Sequence, residues 1–452
     1  MVTVTPDRFV NKGPGHPAFH EHLRAEAVAA LDCVNYVIVN NWPTAIEAIR
    51  IVKPDIYVKG EEYRDEGNDL TGKIRDEVEA VESVGGVIRF TTDITFSSSN
   101  LINKYLPTFP PHVQKWLADF SGRHPTAEVN AYLDSLEKLK VLIVGETILD
   151  AYSYCEAMGK SGKEPVLATK FLVEEMYTGG VLAIANHVAG FCRNVKVVTH
   201  LGKNLENKEF IESKMHEHVS MQFLPKPDSP TLVKRRFIEK DLNQKMFEVY
   251  EMNDSPLPEK DEKKYLQVLA KAIAKADIVI VADYGHGIIS DKVARFLSEN
   301  AKFLVVNTQA NAGNKGLNSV AKYPRADLIT MTGRELALEV RTDKDLPRHM
   351  PALCNQLSAG KMLLTLGRDG LVTWAPDTGY SDAPAFAVKV TDRVGAGDAV
   401  LSLTALLQCR KAPDDVICFM GNVAGAEAVV TMGNSAFLTK NNLKKHINHL
   451  LK

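Results

Sequence analysis

The chain lacks the features that mark several large classes of protein. Its 54 Lys and Arg residues are balanced by 56 Asp and Glu residues, so no basic field favours nucleic acid or an anionic membrane as a partner. No run approaches the ~18 consecutive apolar residues of a membrane span, and residues 1–6 have neither the basic nor the apolar region of a signal peptide. We therefore expect a cytoplasmic protein that binds neither nucleic acid nor membrane.

Cysteine spacing and the common phosphate-binding loops exclude further classes. The six cysteines include no C-x-x-C pair, so we expect reduced thiols rather than a disulfide framework or a structural zinc site. Neither a G-x-x-x-x-G-K-[ST] motif nor a G-x-G-x-x-G motif after a strand occurs. A phosphate site, if the chain has one, must be built differently.

The 452 residues, of which 45% are hydrophobic, are long enough for two or three domain cores. Short apolar runs alternate with helical patterns, which is typical of α/β proteins with parallel sheets. The first series occupies residues 1–106, a proline-interrupted linker is expected at residues 107–137, and a doubly wound sheet is predicted over residues 138–452. The segment 231–251 predicts a β-hairpin, a candidate lid.

The predicted strands follow from these apolar runs. In the first series they are residues 34–39, 56–58 and 87–90. In the second series they are residues 140–145, 195–198, 278–281, 303–306, 328–330 and 362–365.

The strongest chemical signal lies at the start of an apolar helical run after residue 400. Gly395, Ala396 and Gly397 precede this run, and glycines let an anion approach the free N–H groups and the positive dipole end of a helix. Asp398 adds a carboxylate, which suits the removal of a proton from a hydroxyl that attacks phosphorus. Judged alone, the pattern fits a helix cap with a tight turn equally well.

Residues 392–398 resemble the signature of the ribokinase-like (PfkB-type) carbohydrate kinases, and the resemblance extends over about residues 138–452. It implies that Asp398 is the general base and that the amides of Gly395, Ala396 and Gly397 hold the transferring phosphoryl group. The positions that match the family's other site residues are Asp150, Gly179 and Gly180 for the sugar, and Thr365, Gly367, Gly370 and Asn422 for the nucleotide.

Three further positions bear on the metal and the substrate. Glu335 resembles the acidic residue that organises Mg²⁺ through water in this family, with Thr332 in place of the usual asparagine. Lys234 and Arg236 match the heptose 7-phosphate kinases of the family; at alternate strand positions they share one face and are suited to bind a substrate phosphate. The chain departs from its relatives at Ala183, His286 and Gln309.

The resemblance implies an ATP- and Mg²⁺-dependent kinase that phosphorylates a hydroxyl of a sugar or sugar phosphate, with a heptose 7-phosphate-like acceptor preferred. A monovalent cation is a further cofactor that it admits. A homodimer formed through the lids is expected, because a lid with one apolar face needs cover. Two alternatives stay open at this point: a non-catalytic nucleotide- or sugar-binding protein and a nucleoside kinase.

Residues 1–106 resemble the cytidylyltransferase-like nucleotidyltransferases in segments 4–14, 57–63 and 95–102. The resemblance implies that Lys59 and the hydroxyls and amides of Ser97, Ser98 and Ser99 face a triphosphate. The family's H-x-G-H element does not occur, and the match starts at the family's second strand. We expect an incomplete, inactive Rossmann-like domain, through natural loss or a truncated start. Together the modules resemble bifunctional enzymes of ADP-heptose synthesis in reversed order.

Overall fold

The structure is a computed structural model that describes residues 1–10, 17–60, 74–91, 109–314 and 316–451. The chain forms two compact units, Met1–Thr126 with Lys440–Lys452, and Ala127–Thr439. No helix in the described ranges combines the length and apolarity that crossing a bilayer requires. None of the six cysteines forms a disulfide, and Cys33 is the one that is exposed.

The first unit is a small α/β region. Its elements in chain order are β1 (Val2–Val4), α1 (Glu21–Ala29), β2 (Val37–Val39), α2 (Ile46–Val52), β3 (Ile56–Lys59), α3 (Ile74–Ser83), β4 (Val87–Phe90) and α4 (Pro111–Arg123). Strand β1 pairs in parallel with β2, and β3 pairs in parallel with β4. Ile49 of α2 packs with Ala80 and Val81 of α3 in a small core.

A single Rossmann-like sheet is the sequence-based expectation for this unit, but its described residues form two separate two-stranded sheets. In the doubly wound order 3-2-1-4 the first strand lies between the second and the fourth. If β1 and β2 correspond to the second and third strands of that order, no described strand takes the position of the first strand, between β1 and β3. The described strands then form two separate pairs, β1–β2 and β3–β4. The apolar side chains of Ile56 and Val58 on β3 are 51% and 57% exposed.

The second unit is built on a nine-stranded sheet. Its strands are β5 (Lys140–Gly145), β8 (Asn194–Leu201), β9 (Val219–Pro225), β12 (Ile278–Asp283), β13 (Leu304–Thr308), β14 (Leu328–Thr332), β15 (Met362–Thr365), β16 (Leu371–Ala375) and β17 (Gly379–Ala383). They lie in the order β17-β16-β15-β14-β13-β12-β5-β8-β9. Neighbouring strands are parallel from β9 to β15, whereas β16 runs antiparallel to both β15 and β17.

A second, four-stranded sheet belongs to the same unit, and we call it the small sheet. Its strands are β6 (Thr147–Lys160), β7 (Leu167–Gly180), β10 (Val233–Glu239) and β11 (Gln244–Glu251), and they lie in the order β11-β10-β6-β7. The hairpin predicted over residues 231–251 is present as the antiparallel pair β10–β11. Strand β10 also pairs in parallel with β6, which sets Lys234 opposite Asp150 and Arg236 opposite Tyr152.

Helices accompany the strands of the nine-stranded sheet. They are α5 (Thr126–Ser135), α6 (Val181–Ala189), α7 (Lys208–Lys214), α8 (Glu259–Ile273), α9 (Asp291–Asn300), α10 (Gly333–Val340), α11 (Met350–Gln356), α12 (Ala396–Cys409) and α13 (Asp414–Ala428); α14 (Lys440–Leu450) follows in the first unit. Helices α4 and α5 occupy much of the predicted linker 107–137, and the domain boundaries proposed from the sequence stay a prediction.

The central strands of the large sheet are buried along their length. Every residue of β12 is buried, as is every residue of β5 after Lys140. Continuous apolar runs of this kind are typical of parallel strands covered on both faces. Because parallel strands end at one edge, the residues that follow β12, β13 and β14 meet there, which is the edge where ligands bind in doubly wound sheets.

Candidate active site

The loop before α12 opens the helix N-terminus to the pocket. Gly395 caps the helix in the left-handed region (φ 84°), and a Cβ on it would lie 2.1 Å from Asn434 Oδ1, so glycine is required. A Cβ on Gly397 would meet nothing within 4 Å. The amides of Gly397 and Asp398 lie in the first turn, where helix geometry offers no acceptor within the helix. This arrangement is suited to hold an anion.

Asp398 is buried in the first turn of α12, and its described side-chain hydrogen bonds converge on one oxygen. The Tyr284 hydroxyl donates to Oδ1 at 3.0 Å, and Gln309 Nε2 donates to the same atom at 3.3 Å. Burial raises the pKa of Asp398 to about 7, with a further contribution from the negative charge of Asp150, against the lowering effects of Tyr284, Gln309 and Lys234. The carboxyl group is therefore poised to exchange a proton near neutral pH.

The pocket in front of Asp398 has a volume of about 280 Å³ and is lined by both sheets of the unit. The residues singled out from the sequence of the second unit that line it are Asp150, Gly180, Lys234, Arg236, Gln309, Thr332, Glu335, Thr365, Gly395, Gly397 and Asp398. Those that do not line it are Gly179, Ala183, His286, Gly367, Gly370, Ala396 and Asn422. One cavity thus brings together most of the sugar, phosphoryl and metal positions, whose roles stay predictions.

Asp150, the position expected to face sugar hydroxyls, is ion-paired with Arg236. Arg236 Nε also donates to Glu248 Oε1 at 3.1 Å. Burial opposes the charge of Arg236, but the neighbouring Asp150 raises its pKa, so it stays a cation. A Cβ on Gly179 would lie 2.2 Å from Asp150 Oδ2, which explains why glycine stands beside this carboxylate.

Lys234 lies next to this ion pair on the same face of β10 and is buried. Its described contacts are two aromatic rings, with Nζ 5.4 Å from the centroid of Tyr250 and 5.7 Å from that of Tyr284. Burial lowers the pKa of Lys234, and the Asp150 carboxylate counteracts this. A buried ammonium held by rings gains strongly from an anionic ligand.

Glu335 lines the pocket, and its carboxylate is already partly engaged. Thr332 N donates to Oε2 at 2.7 Å and Ala310 N donates to Oε1 at 3.3 Å, while the Thr332 hydroxyl accepts from Glu335 N, which completes a capping box at α10. Burial raises the pKa of Glu335. Each oxygen retains a lone pair, so the residue fits a role through water; in the described part of the chain no cluster of three or more His, Cys, Asp or Glu could hold a metal.

The nucleotide positions divide into one pocket residue and three neighbours. Thr365 ends β15 and lines the pocket. Gly367 and Gly370 shape the turn to β16 with φ of 63° and 92°, and a Cβ on Gly370 would lie 2.0 Å from the Ala383 carbonyl oxygen. Asn422 is buried and donates to that same carbonyl oxygen at 2.9 Å and to the Cys418 carbonyl oxygen at 3.2 Å, so both of its described side-chain hydrogen bonds are internal to the fold.

The departures from the kinase relatives are accommodated by contacts. His286 Nδ1 lies 2.8 Å from Asp254 Oδ1, and Ala183 is fully buried in α6. Glu146 accepts the N–H groups of Tyr284 at 2.9 Å and of His286 at 3.1 Å, which fixes the turn after β12. This turn carries the Tyr284 hydroxyl to Asp398.

In the first unit, Lys59 is the one predicted site residue that lies within the described residues. Lys59 Nζ forms an ion pair with Glu77 Oε2 at 2.7 Å and lies 5.7 Å from the centroid of the Tyr57 ring. The nearby Glu77 carboxylate already neutralises Lys59, so a triphosphate would have to compete with it. Ser97, Ser98 and Ser99 lie outside the described residues.

Sequence reasoning missed several pocket residues, among them the polar residues Tyr284, Asn307 and Arg393. Tyr284 directly follows β12, and Asn307 is the residue before the last in β13. Their position at the carboxyl ends of parallel strands is a usable signal, because that edge carries the ligand sites of such sheets. Arg393 stands within the glycine-rich segment itself.

Comparison with known proteins follows the second unit. Residues 138–441 match the family described as "pfkB family carbohydrate kinase". The chain is 26% identical over 304 residues to Bifunctional protein HldE of Campylobacter jejuni, covering 66% of this chain and 63% of the relative. It is 26% identical over 331 residues to Bifunctional protein HldE of Bradyrhizobium diazoefficiens, covering 72% and 66%. The chain spans less than two thirds of the length of these relatives.

Solved structures show the same architecture. Ribokinase from Thermotoga maritima superposes with a TM-score of 0.54 at 15% identity, covering 69% of this chain and 99% of that one. Escherichia coli phosphofructokinase-2, solved with fructose-6-phosphate and with potassium, gives TM-scores of 0.56 and 0.57 at 16% identity, covering 70% of this chain and 100% of that one. At such identities the likeness shows the ribokinase-like fold alone.

We predict that Tyr284→Phe raises the pKa of Asp398, because a hydrogen bond that stabilises the carboxylate is lost. A hydrogen bond to a charged group contributes ~1.5 kcal/mol, which corresponds to about one pKa unit. Titration of the ¹³C-labelled aspartate carboxyl carbons by NMR measures the shift. Tyr265→Phe is the matched control, because the buried Tyr265 hydroxyl has no hydrogen-bond partner among the described residues.

Gln309→Lys should move the same pKa in the opposite direction, since an ammonium beside the carboxylate favours its charged form. An unchanged pKa of Asp398 in both variants would show that neither side chain reaches it in solution.

Proposed function

Because the chain belongs to the pfkB family of carbohydrate kinases, we propose that it transfers the γ-phosphoryl group of ATP to a hydroxyl of a sugar phosphate, with a heptose 7-phosphate-like acceptor preferred. The observation that carries this proposal is a shared pocket: Asp398, the helix N-terminus at Gly397, and the cations Lys234 and Arg236 all line it. A base, an anion-binding backbone and a second anion-binding group are the parts that such a transfer needs.

In the proposed reaction Asp398 accepts the proton of the acceptor hydroxyl as the hydroxyl oxygen attacks the γ-phosphorus and the bond to the ADP oxygen breaks. Oδ1 already accepts from Tyr284 and Gln309, and no partner of Oδ2 is found among the described residues, so Oδ2 is the atom assigned to the hydroxyl. The amides of Gly397 and Asp398 stabilise the charge of the transferring group. A base with a pKa near 7 suits this role at neutral pH.

Lys234 is the residue to which we assign the phosphate already on the acceptor. Arg236 is engaged by Asp150 and Glu248, whereas Lys234 has only aromatic rings as described contacts. The fructose-6-phosphate bound in the phosphofructokinase-2 structure supports a phosphorylated acceptor. The nucleoside kinase alternative gains no such support from these cations.

ATP enters as its Mg²⁺ complex in this proposal, and Glu335 would hold the ion through water. The ion would neutralise charge on the β- and γ-phosphates. Thr365 at the pocket wall is assigned to the nucleotide, and Gly367, Gly370 and Asn422 shape the surface around it. Activation by a monovalent cation remains part of the proposal, supported by potassium in the phosphofructokinase-2 structure.

For the first unit we propose a nucleotidyltransferase-like region that has no activity of its own. The two separate two-stranded sheets and the ion pair that engages Lys59 support this. An assay for pyrophosphate release from nucleoside triphosphates and a sugar 1-phosphate tests it.

Asp398→Asn should lower turnover about 100- to 10,000-fold, because the amide cannot accept the proton. The measurement is ADP release with a panel of hexoses, heptoses and their phosphates. Binding of MgADP should change little, and Asp377→Asn, an exposed carboxylate in a turn, is the matched control. Binding of nucleotide by the wild-type chain with no turnover on any acceptor would favour the non-catalytic binding protein instead.

Lys234→Met should lower kcat/KM for a phosphorylated acceptor by about 10- to 100-fold, the loss of one charge-assisted hydrogen bond. The same variant should change kcat/KM for the unphosphorylated sugar much less. Lys170→Met, an exposed lysine on β7, is the control. Equal losses for both acceptors would remove Lys234 from phosphate recognition.

We also propose that the chain is a homodimer formed through the outer face of the small sheet. Phe247 and Val249 are 50% and 44% exposed there, and Phe237 stacks on Phe247 with ring centroids 4.5 Å apart. The register places these side chains on the face opposite Lys234 and Arg236. Apolar side chains on an exposed sheet face are typical of an interface.

Phe247→Asp should therefore convert a dimer to a monomer, because a charge in the centre of an apolar interface is costly to bury. Light scattering coupled to size-exclusion chromatography gives the mass. Leu317→Asp, at a highly exposed leucine of the same unit outside the small sheet, should leave the mass unchanged. A monomeric wild-type chain would contradict the proposal.

A further inference from the structure

The carboxylate of Asp392, at the entrance of the glycine-rich loop, is held by four donors. The Tyr152 hydroxyl donates to Oδ2 at 2.8 Å and Gly433 N donates to it at 3.1 Å. Lys245 Nζ donates to Oδ1 at 2.7 Å, and Val394 N donates to it at 3.2 Å. Lys245 is the one cation among these donors.

Two of these donors come from the small sheet. Tyr152 lies on β6, and Lys245 lies on β11, the second strand of the hairpin. Val394 N is part of the loop that Asp392 begins. One carboxylate therefore ties two strands of the small sheet to the backbone that leads into the first turn of α12.

The two partners of the ion pair differ in exposure. The Asp392 side chain is 4% exposed, whereas that of Lys245 is 34% exposed. Burial by itself would raise the pKa of Asp392, but the donors Lys245 and Tyr152 lower it below its usual value. A buried carboxylate that loses its cation is left uncompensated, which is strongly unfavourable, so the position of Lys245 matters to the loop.

The same hairpin carries the cations of the pocket. Strand β10 supplies Lys234 and Arg236, and β11 supplies Lys245. The register sets Lys245 opposite Ile238 across the hairpin, two positions from Arg236. A hairpin that seats its cations in the pocket therefore also seats Lys245 on Asp392.

We infer that Lys245 is a positioning residue, which couples the seating of the β10–β11 hairpin to the conformation of the loop Asp392–Gly397 by neutralising Asp392. This inference rests on the proposed kinase function for its effect on turnover, but not for its effect on the loop. When the hairpin lifts, Lys245 leaves Asp392 and the loop loses one of its fixed donors. The anion-binding backbone is then ordered only with the hairpin in place.

The test compares Lys245→Ala, Lys245→Arg and the control Lys240→Ala, an exposed lysine in the turn of the same hairpin. In Lys245→Ala we expect faster amide hydrogen exchange both in residues 392–398 and in residues 233–251, with and without MgADP. Lys245→Arg should restore protection, and Lys240→Ala should leave the loop unchanged. Lys245→Ala combined with Asp392→Asn should add little to the exchange of Asp392→Asn alone.

Turnover supplies the second readout, with ATP and the best acceptor of the sugar panel. Lys245→Ala should lower kcat by about 10- to 100-fold, since small misplacements of a catalytic loop are costly, with a smaller change in KM for the acceptor. Millimolar methylammonium should restore part of kcat by refilling the vacated site at Asp392, and it should not affect Lys240→Ala.

The outcomes separate this inference from the proposed function. Unchanged loop exchange in Lys245→Ala, or a loss of thermal stability without a loop-specific effect, would overturn the coupling even if the wild type is an active kinase. Conversely, a wild type without turnover on every acceptor would remove the kinase proposal, whereas linked exchange of hairpin and loop would still support the coupling.

Discussion

The architecture of the second unit depends on the balance of buried charges in the pocket that Asp398 lines. Asp398 and Asp150 are both buried there, and each negative charge raises the cost of the other. Arg236 neutralises Asp150, and Lys234 adds a positive charge without a described carboxylate partner. Asp150, Lys234 and Arg236 come from the small sheet, whereas Asp398 comes from helix α12, so the pocket exists only when the small sheet lies against the start of this helix. Glycines at the points of closest approach make this packing possible, since side chains there would collide with Asp150 or with backbone.

The sequence patterns were sufficient for the regular part of the fold. Strands β4, β5 and β15 have the bounds predicted for them, and the other predicted strands differ by a few residues at their ends. Continuous apolar runs signal buried parallel strands well. Strands β6 and β7 were not predicted, because their outer halves are exposed and carry mixed polar and apolar residues. The described residues of the first unit form two pairs of strands and not the single sheet expected, since pairing depends on which strand occupies the centre, and composition does not encode that.

The site was predictable where local sequence determines its geometry. A helix start after Gly395 and Gly397 with Asp398 in the first turn follows from neighbouring residues. Contacts between distant parts of the chain were beyond sequence reasoning: Arg236 with Asp150, Tyr284 with Asp398 and Lys245 with Asp392 are separated by 86, 114 and 147 residues. These pairs depend on strand register and on the path of loops, where a shift of one residue turns each side chain to the other face.

The departures from the kinase relatives bear on whether the protein is a catalyst or a binding protein. A site that has lost its use should accumulate buried polar atoms without partners and cavities where side chains were shortened. Here Thr332 completes a capping box with Glu335, and Gln309 Nε2 donates to Asp398 Oδ1, whereas the buried Nε2 of His286 has no hydrogen-bond partner among the described residues. A neutral amide at that position leaves the pKa of Asp398 near 7, where a lysine would lower it. Of the changed residues, Thr332 and Gln309 therefore fit the proposed role of Asp398 as a base at neutral pH, and this favours a catalyst over a degenerate site.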